Sequence, residues 1–270
     1  MSARVARKVV VFGGSGYVGS AIARALVRLR AELETVAPSS SSTTSSSSTS
    51  TSGADAWAIE IVCASRSGRA PSWALGESWS SACAWTSCDA LDEAACAEAT
   101  RDASAVVTAI GALPFPWVSA EAIVRANGDT NITPGRAAMA NGAKKLVVIG
   151  ASVPPLVPGL ASYARGKANV EAFARDEFAS VRDGRSAVVL KPAAVSGTRR
   201  LSNGLAVPLG LAMDPARAVL RATGVGALLE NAPVPLENLA LAAAREALSD
   251  VSGGGFKVIS NRSLIEDFSA

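Results

Sequence analysis

The stretch that decides the fold is KVVVFGGSGYVG, Lys8 to Gly19. Its first half, Lys8–Phe12, is a short β-branched run of the kind that forms a strand buried on both faces. It ends directly in glycines, which satisfy G-x-G-x-x-G at Gly14, Gly16 and Gly19 and G-x-x-G-x-x-G at Gly13, Gly16 and Gly19. Just beyond, Val18, Ile22, Ala25, Leu26 and Leu29 recur at helical spacing. Strand, glycine turn and helix in that order form a cradle for a pyrophosphate. The glycines allow a tight turn and close backbone approach, and the helix amino terminus faces the negative charge. Gly13, Gly14, Ser15, Gly16, Tyr17, Val18 and Gly19 are therefore the candidate dinucleotide-binding residues, with an ordinary glycine turn as the alternative.

Working outward, Ser39–Ser52 is fourteen consecutive Ser or Thr residues. Such a tract cannot bury enough apolar surface to offset its entropy, so a disordered insertion is expected over 38–55. Alternation then resumes. Strands are predicted at Ile59–Ala64, Cys83–Ser87, Ala105–Ile110, Lys145–Ile149, Ser186–Leu190 and Phe256–Ile259. Helices are predicted at Leu91–Ala99, Ala120–Asn141, Ser162–Phe178 and Leu236–Leu248. This pattern means an α/β fold, a doubly wound parallel sheet of about seven strands in the order 3-2-1-4-5-6-7. Residues 197–235, with their Pro and Gly, break the alternation and read as a small cap. The expected organisation is a Rossmann-like domain over 1–196, the cap over 197–235, and a last helix and strand over 236–270 returning to the first domain.

Composition excludes several functions. The 270 residues are 49% hydrophobic and 18% charged, which rules out wholesale disorder. Net charge is +3, and the 26 basic residues are scattered rather than striped, arguing against nucleic-acid binding. Histidine is absent, which removes Ser-His-Asp triads, Cys-His dyads and His-ligated zinc. Cys63, Cys83, Cys88 and Cys96 contain no C-x-x-C pair, so no metal site is expected and they read as reduced core residues. Gly and Pro interrupt every apolar run before it reaches the length of a membrane span. The first predicted strand begins near residue 8, leaving no room for a cleavable transit peptide, so the expectation is either a mature or trimmed form or a cytosolic protein.

Two further places carry chemistry. After the second strand, where a carboxylate usually holds a free ribose 2′-hydroxyl, the chain has Ser65-Arg66-Ser67-Gly68-Arg69. A guanidinium pairs bidentately with phosphate and a hydroxyl adds a bond, favouring the 2′-phosphate of NADP(H) over NAD(H); solvated loop charges are the alternative for Arg66 and Arg69. The chain has only two tyrosines, and Lys167 follows Tyr163 by four places, one helical turn away on the same face. Ser152 lies just past the preceding strand. These three can do acid–base work without histidine: a nearby lysine cation pulls the phenol pKa down, Tyr163 gives a proton to a carbonyl oxygen, and Ser152 hydrogen-bonds the same oxygen. The alternative is a packed aromatic and a surface charge.

Together GGSGYVG (13–19), CDALDE (88–93), VVTAIG (106–111), NGDTN (127–131), VVIGAS (147–152), YARGK (163–167) and KPAAVSGTRR (191–200) resemble the short-chain dehydrogenase/reductase superfamily in its extended or atypical branch. The resemblance implies that Asp89 bonds the adenine amine and that Ala109 and Gly111 line the cofactor. It also implies that Asn127 supports the proton relay, that Lys167 also bonds the nicotinamide ribose, and that the backbone after Pro192 meets the nicotinamide amide. More narrowly, SRSGRAPSW (65–73) is similar to atypical reductase-like proteins of mitochondria and plastids. These include coenzyme Q-biosynthesis accessory proteins, plastoglobule-type relatives and, more distantly, the NADPH-holding accessory subunit of respiratory complex I. Two functions follow as expectations. One is an NADP(H)-dependent reductase or dehydrogenase of a carbonyl or hydroxyl, its substrate a hydrophobic, quinone-like or isoprenoid small molecule. The other is a non-catalytic NADPH-binding subunit associated with a mitochondrial or chloroplast membrane complex. The apolar cap residues Leu205, Val207, Leu209, Leu211, Val219 and Leu220 fit a hydrophobic substrate or a plain core.

Overall fold

The computed structural model describes residues 6–36, 58–153, 159–200, 205–211, 213–215, 218, 230–251 and 253–268. The Ser/Thr tract, Val219 and Leu220 lie outside the described residues. Seven strands form one sheet: β1 (Ala6–Phe12), β2 (Ala58–Ser65), β3 (Ala84–Ser87), β4 (Ala103–Thr108), β5 (Lys145–Ile149), β6 (Ser186–Leu190) and β11 (Gly255–Ile259). Their order is β3-β2-β1-β4-β5-β6-β11, and every neighbouring pair is parallel. This is the doubly wound, Rossmann-like order expected. The order in which successive strands are added reverses between β1 and β4, and β1 ends there in the glycine loop.

Alternation along β1 assigns its two faces. Val9 and Val11 pack with Ile61, Cys63, Val107 and Val147 under α1 (Tyr17–Val36) and α7 (Leu236–Leu248). Val10 and Phe12 pack with Val62, Val106 and Leu146 under α3 (Glu93–Ala99), α5 (Asp129–Ala140) and α6 (Ala161–Phe173). Burial on both faces explains why these strands read as continuous apolar runs. In α7, Ala240, Ala242, Ala243, Ala244 and Ala247 are all buried. Side chains this small let α7 lie close against α1.

The helix expected over Ala120–Asn141 is broken. It forms α4 (Ala120–Asn127) and α5, separated by Gly128 at φ −101°, ψ −82°. Helix α6 crosses here, and two glycines face the crossing. A Cβ on Gly128 would stand 2.9 Å from the Val124 carbonyl oxygen, and one on Gly166 would stand 2.9 Å from Asn127 Cβ. The helix expected to Phe178 is α-helical only to Phe173; Ala174–Phe178 continues as one π turn, closed by Ala179 N–H donating to Ala174 O at 3.0 Å. Four short strands follow β6 or lie in the expected cap: β7 (Val195–Ser196), β8 (Thr198–Arg200), β9 (Ala206–Pro208) and β10 (Val234–Pro235). A short helix, α8 (Asn261–Glu266), carries Ser260 as its N-cap. All four cysteines are buried and unbridged. Among the described residues no helix is long and apolar enough to cross a membrane, and no cluster could hold a metal ion.

Candidate active site

Gly13 leaves β1 at φ +81°, a conformation that suits glycine, and its N–H donates to Ala64 O at 2.9 Å. Gly16 N–H closes the turn onto Gly13 O at 2.8 Å. The loop has no room for side chains at two positions. A Cβ on Gly14 would lie 2.6 Å from Cys63 Cβ, and one on Gly19 would lie 2.1 Å from Gly13 O. Ser15 is half-buried and Gly16 exposed, so their backbone stays open to solvent at the start of a twenty-residue helix with no acid in its first turn. Tight turn, bare backbone and free helix amino terminus fit a pyrophosphate. Val18 packs against the core. The Tyr17 hydroxyl is buried beside Gly197 without a hydrogen-bond partner among the described residues. Burial pushes its pKa up to about 12, against the opposing pull of Arg199. Arg199 and Arg200 bring β8 to this helix. A cavity of about 360 Å³ lies between them, lined among others by Tyr17, Arg24, Trp73, Arg200 and Glu237. Sequence reasoning missed this contact, because nothing in residues 197–200 shows where a cap strand will land.

At the end of β2, Gly68 N–H turns back to Ser65 O at 3.1 Å, and the Ser65 and Ser67 hydroxyls lie 3.3 Å apart. Cys88 N–H donates to the same Ser65 O at 2.9 Å, which brings Asp89 alongside. Ser87 Oγ holds Arg66 O at 3.1 Å. Arg66 and Arg69 are exposed, and neither joins an ion pair among the described residues. Asp89 is exposed, one oxygen accepting from Leu91 N–H at 3.0 Å. Ala109 completes this edge: its N–H donates to Phe12 O at 3.0 Å and its carbonyl abuts Gly13.

The second half of the site is built around the exit of β4. Lys167 is buried on α6, and its Nζ donates to Ile149 O at 2.8 Å and Ile110 O at 3.2 Å, spanning the carboxyl ends of β5 and β4. Burial pulls its pKa down to about 8. Asn127 is fully buried. Its Nδ2 donates to Ala112 O and Ile123 O, both at 2.9 Å, and its Oδ1 accepts from Ala112 N–H at 3.1 Å. Asn131, one turn further and not singled out from the sequence, grips Ile110 from both sides at 3.2 and 3.3 Å. Two asparagines and a lysine thus immobilise Ile110-Gly111-Ala112. The signal for Asn131 was its place four residues after Asn127 in NGDTN.

Tyr163 is half-buried one turn before Lys167, and burial raises its pKa. This corrects the expectation that the lysine depresses the phenol: the ammonium is directed to backbone carbonyls, and desolvation decides the shift. Ser152 N–H donates to Pro192 O at 2.8 Å, joining the ends of β5 and β6, and its hydroxyl has no partner among the described residues. The backbone after Pro192 is already engaged, Ala193 N–H donating to Asn261 Oδ1 at 2.7 Å while Asn261 Nδ2 reaches Ala232 O at 2.8 Å. Of the apolar cap residues described, Leu205 and Leu211 are exposed, whereas Val207 and Leu209 are half-buried.

A model of the NAD dependent epimerase/dehydratase family matches residues 9–205. The chain belongs to this family, within the extended short-chain dehydrogenases/reductases. No curated protein matches it in sequence. Among solved structures it is similar to 3-oxoacyl-[acyl-carrier protein] reductase from Brucella melitensis in complex with NAD (13% identity, 97% of this chain and 98% of that one, TM-score 0.63). It is also similar to an alcohol dehydrogenase from Thermococcus sibiricus complexed with 5-hydroxy-NADP (14%, 95% and 97%, 0.59). A third is UDP-N-acetylglucosamine 4-epimerase from Methanobrevibacter ruminantium (18%, 95% and 77%, 0.57). At these identities the likeness is one of fold.

Proposed function

We propose that this protein is an NADP(H)-dependent oxidoreductase that reduces a carbonyl or oxidises a hydroxyl, with Tyr163, Lys167 and Ser152 at the reacting end. The observation that carries this reading is the anchoring of Lys167 on Ile110 O and Ile149 O. It sets the Tyr–Lys pair at the carboxyl edge of the sheet, the edge on which the glycine loop opens, where open α/β sheets bind ligands. Gly13 to Gly19 hold the pyrophosphate. Ser65, Arg66 and Arg69 receive the 2′-phosphate, since no carboxylate follows β2 and both guanidinium groups are free of acidic partners among the described residues. Asp89, Ala109 and Gly111 line the path between the two ends.

A bound nicotinamide supplies or accepts the hydride. Tyr163, a phenol protonated at neutral pH whose pKa burial raises further, gives its proton to the carbonyl oxygen in the reducing direction. Lys167, one turn on and anchored on Ile110 O and Ile149 O, would hold the nicotinamide ribose beside Tyr163. Ser152, its backbone pinned to Pro192, donates its hydroxyl to the same oxygen. Asn127 acts as a positioning residue, holding Ala112 while α6 crosses at Gly166. The test is to mix the protein with NADPH and a panel of aldehydes and ketones and follow cofactor oxidation. Oxidation that depends on Tyr163 supports the reading, and NADPH that neither binds nor turns over refutes it.

A further inference from the structure

The segment that follows the clamped Ile110–Ala112 is LPFPW, Leu113 to Trp117, and it carries an unusual load. Leu113, Phe115 and Trp117 are 50%, 46% and 79% exposed. These three and the cap residues Leu205 and Leu211 make five of the nine exposed large apolar side chains among the described residues. The LPFPW segment leaves the sheet at the carboxyl end of β4, and a Cβ on Gly111, two residues before Leu113, would stand 3.7 Å from Lys167 Nζ, so the loop starts beside the proposed reacting end. Three large apolar side chains exposed within five residues mark a binding surface.

The loop is also built. Phe115 N–H turns back to Leu113 O at 3.0 Å across Pro114, and Val118 N–H to Phe115 O at 3.0 Å across Pro116. Ser119 then caps α4, accepting from Ala122 N–H at 3.2 Å. Within this frame the rings of Phe115 and Trp117 stack face to face, with centroids 4.9 Å apart and planes 3° apart. Prolines and turns hold the pair ready, so little ordering entropy remains to be lost on binding. No residue from Gly111 to Ser119 is charged.

We infer that Leu113, Phe115 and Trp117 form a subsite that receives the uncharged apolar body of the carbonyl substrate. The inference rests on the proposed function, which puts the reacting carbonyl beside Tyr163 and Lys167. Two occupants fit less well. A nucleotide-sugar would bring a diphosphate to a loop without cations, and a membrane or protein partner needs basic residues or an interface of about 1,000 Å², far more than three side chains provide.

The test compares the wild-type protein with Phe115→Ala and Trp117→Ala, both at exposed positions where folding should survive. Binding of 2-naphthaldehyde, n-decanal and UDP-N-acetylglucosamine is titrated by calorimetry with NADP⁺ present, so that no reduction can occur. The aldehydes should bind the wild type and lose about tenfold in affinity in either variant, the size expected for one aromatic contact. In turnover with NADPH, KM should rise by a similar factor while kcat holds. Naphthaldehyde retained better than decanal assigns the site to ring stacking, and the reverse to chain burial; both support the subsite. Equal aldehyde affinity in wild type and variants overturns it. So does preference for the nucleotide-sugar, or sedimentation with phosphatidylcholine vesicles that needs Trp117 while aldehyde binding does not. Binding that depends on Trp117 with no turnover keeps the subsite and overturns the reductase reading instead.

Discussion

The Lys167 ammonium donates to the Ile149 carbonyl oxygen at 2.8 Å, and this bond, together with the one to Ile110, ties α6 to two strand ends through a single buried cation. The cost of burying that cation is visible in its pKa, about 8 instead of 10.5. A depressed lysine pKa means that the unfolded chain binds more protons than the folded one between about pH 8 and 10.5, so stability rises with pH across that window. The tyrosines oppose this only from about pH 10 upward, because burial raises both of their values.

The first prediction follows from that sign. Thermal melts from pH 8 to 10 should show a rise in melting temperature for the wild type that shrinks in Lys167→Met. The full shift corresponds to about 3 kcal/mol at most, or several degrees for a chain of this size. Lys145, also depressed by burial, contributes with the same sign in both proteins and cancels in the comparison. Parallel curves for the two proteins would show that Lys167 is not the buried cation described here.

The second prediction concerns the helix crossing. A Cβ on Gly166 would stand 2.8 Å from Val124 O and 2.9 Å from Asn127 Cβ, and backbone cannot step aside as a flexible side chain can. Gly166→Ala should cost about 1–3 kcal/mol in urea unfolding, the usual price of overpacking. It should also lower turnover, because α6 cannot retreat without drawing Lys167 away from Ile110 and Ile149. A variant with unchanged stability and unchanged rate would mean that the crossing is not tight.

Much of this was legible in the sequence, and the illegible part has a common cause. Lys145–Ile149, Ser186–Leu190 and Leu236–Leu248 have the ends expected of them, because burial on both faces makes strands uniformly apolar and the alanines of α7 leave its period clear. The break at Gly128 was hidden because Ile123, Asn127 and Asn131 keep helical spacing straight through it. What breaks the helix is α6, a partner more than thirty residues away. The Tyr163–Lys167 spacing put both side chains on one face, but spacing cannot say that the ammonium turns to the carbonyls of β4 and β5. The pairings of β7 to β10 are two or three residues long, too short for any periodicity, and tertiary contacts decide them.

The third prediction tests cofactor choice. Arg66→Glu should weaken NADPH binding by tenfold or more, since it removes a charge-assisted phosphate contact and adds repulsion. NADH, without the 2′-phosphate, should change by about threefold at most, and the acid could even improve it by meeting the ribose hydroxyl. Fluorescence titration of both cofactors with both proteins gives the four constants needed. Tighter NADH binding by the wild type, or an equal effect of the substitution on both cofactors, would assign Arg66 to the solvated surface.

The fourth prediction separates chemistry from binding at the reacting end. Tyr163→Phe removes one oxygen and leaves the ring that packs in its half-buried place, so the fold and the cofactor affinity should stay as they are. Turnover should fall by about 10²–10⁴, the usual contribution of a general acid or base. Ser152→Ala should lower kcat by a smaller factor, again without touching cofactor affinity, because its backbone bond to Pro192 O survives the substitution. Gly16→Asp serves as the opposite control. It places a carboxylate at the exposed opening of the glycine loop, where it would repel a pyrophosphate, so cofactor affinity should collapse while the protein remains folded. If Tyr163→Phe turned over as fast as the wild type while Gly16→Asp lost the cofactor, the loop would bind a nucleotide but Tyr163 would not be the acid. Some other proton source would then have to reach the carbonyl beside Lys167, and Ser152, with its hydroxyl free of partners among the described residues, would be the next to examine.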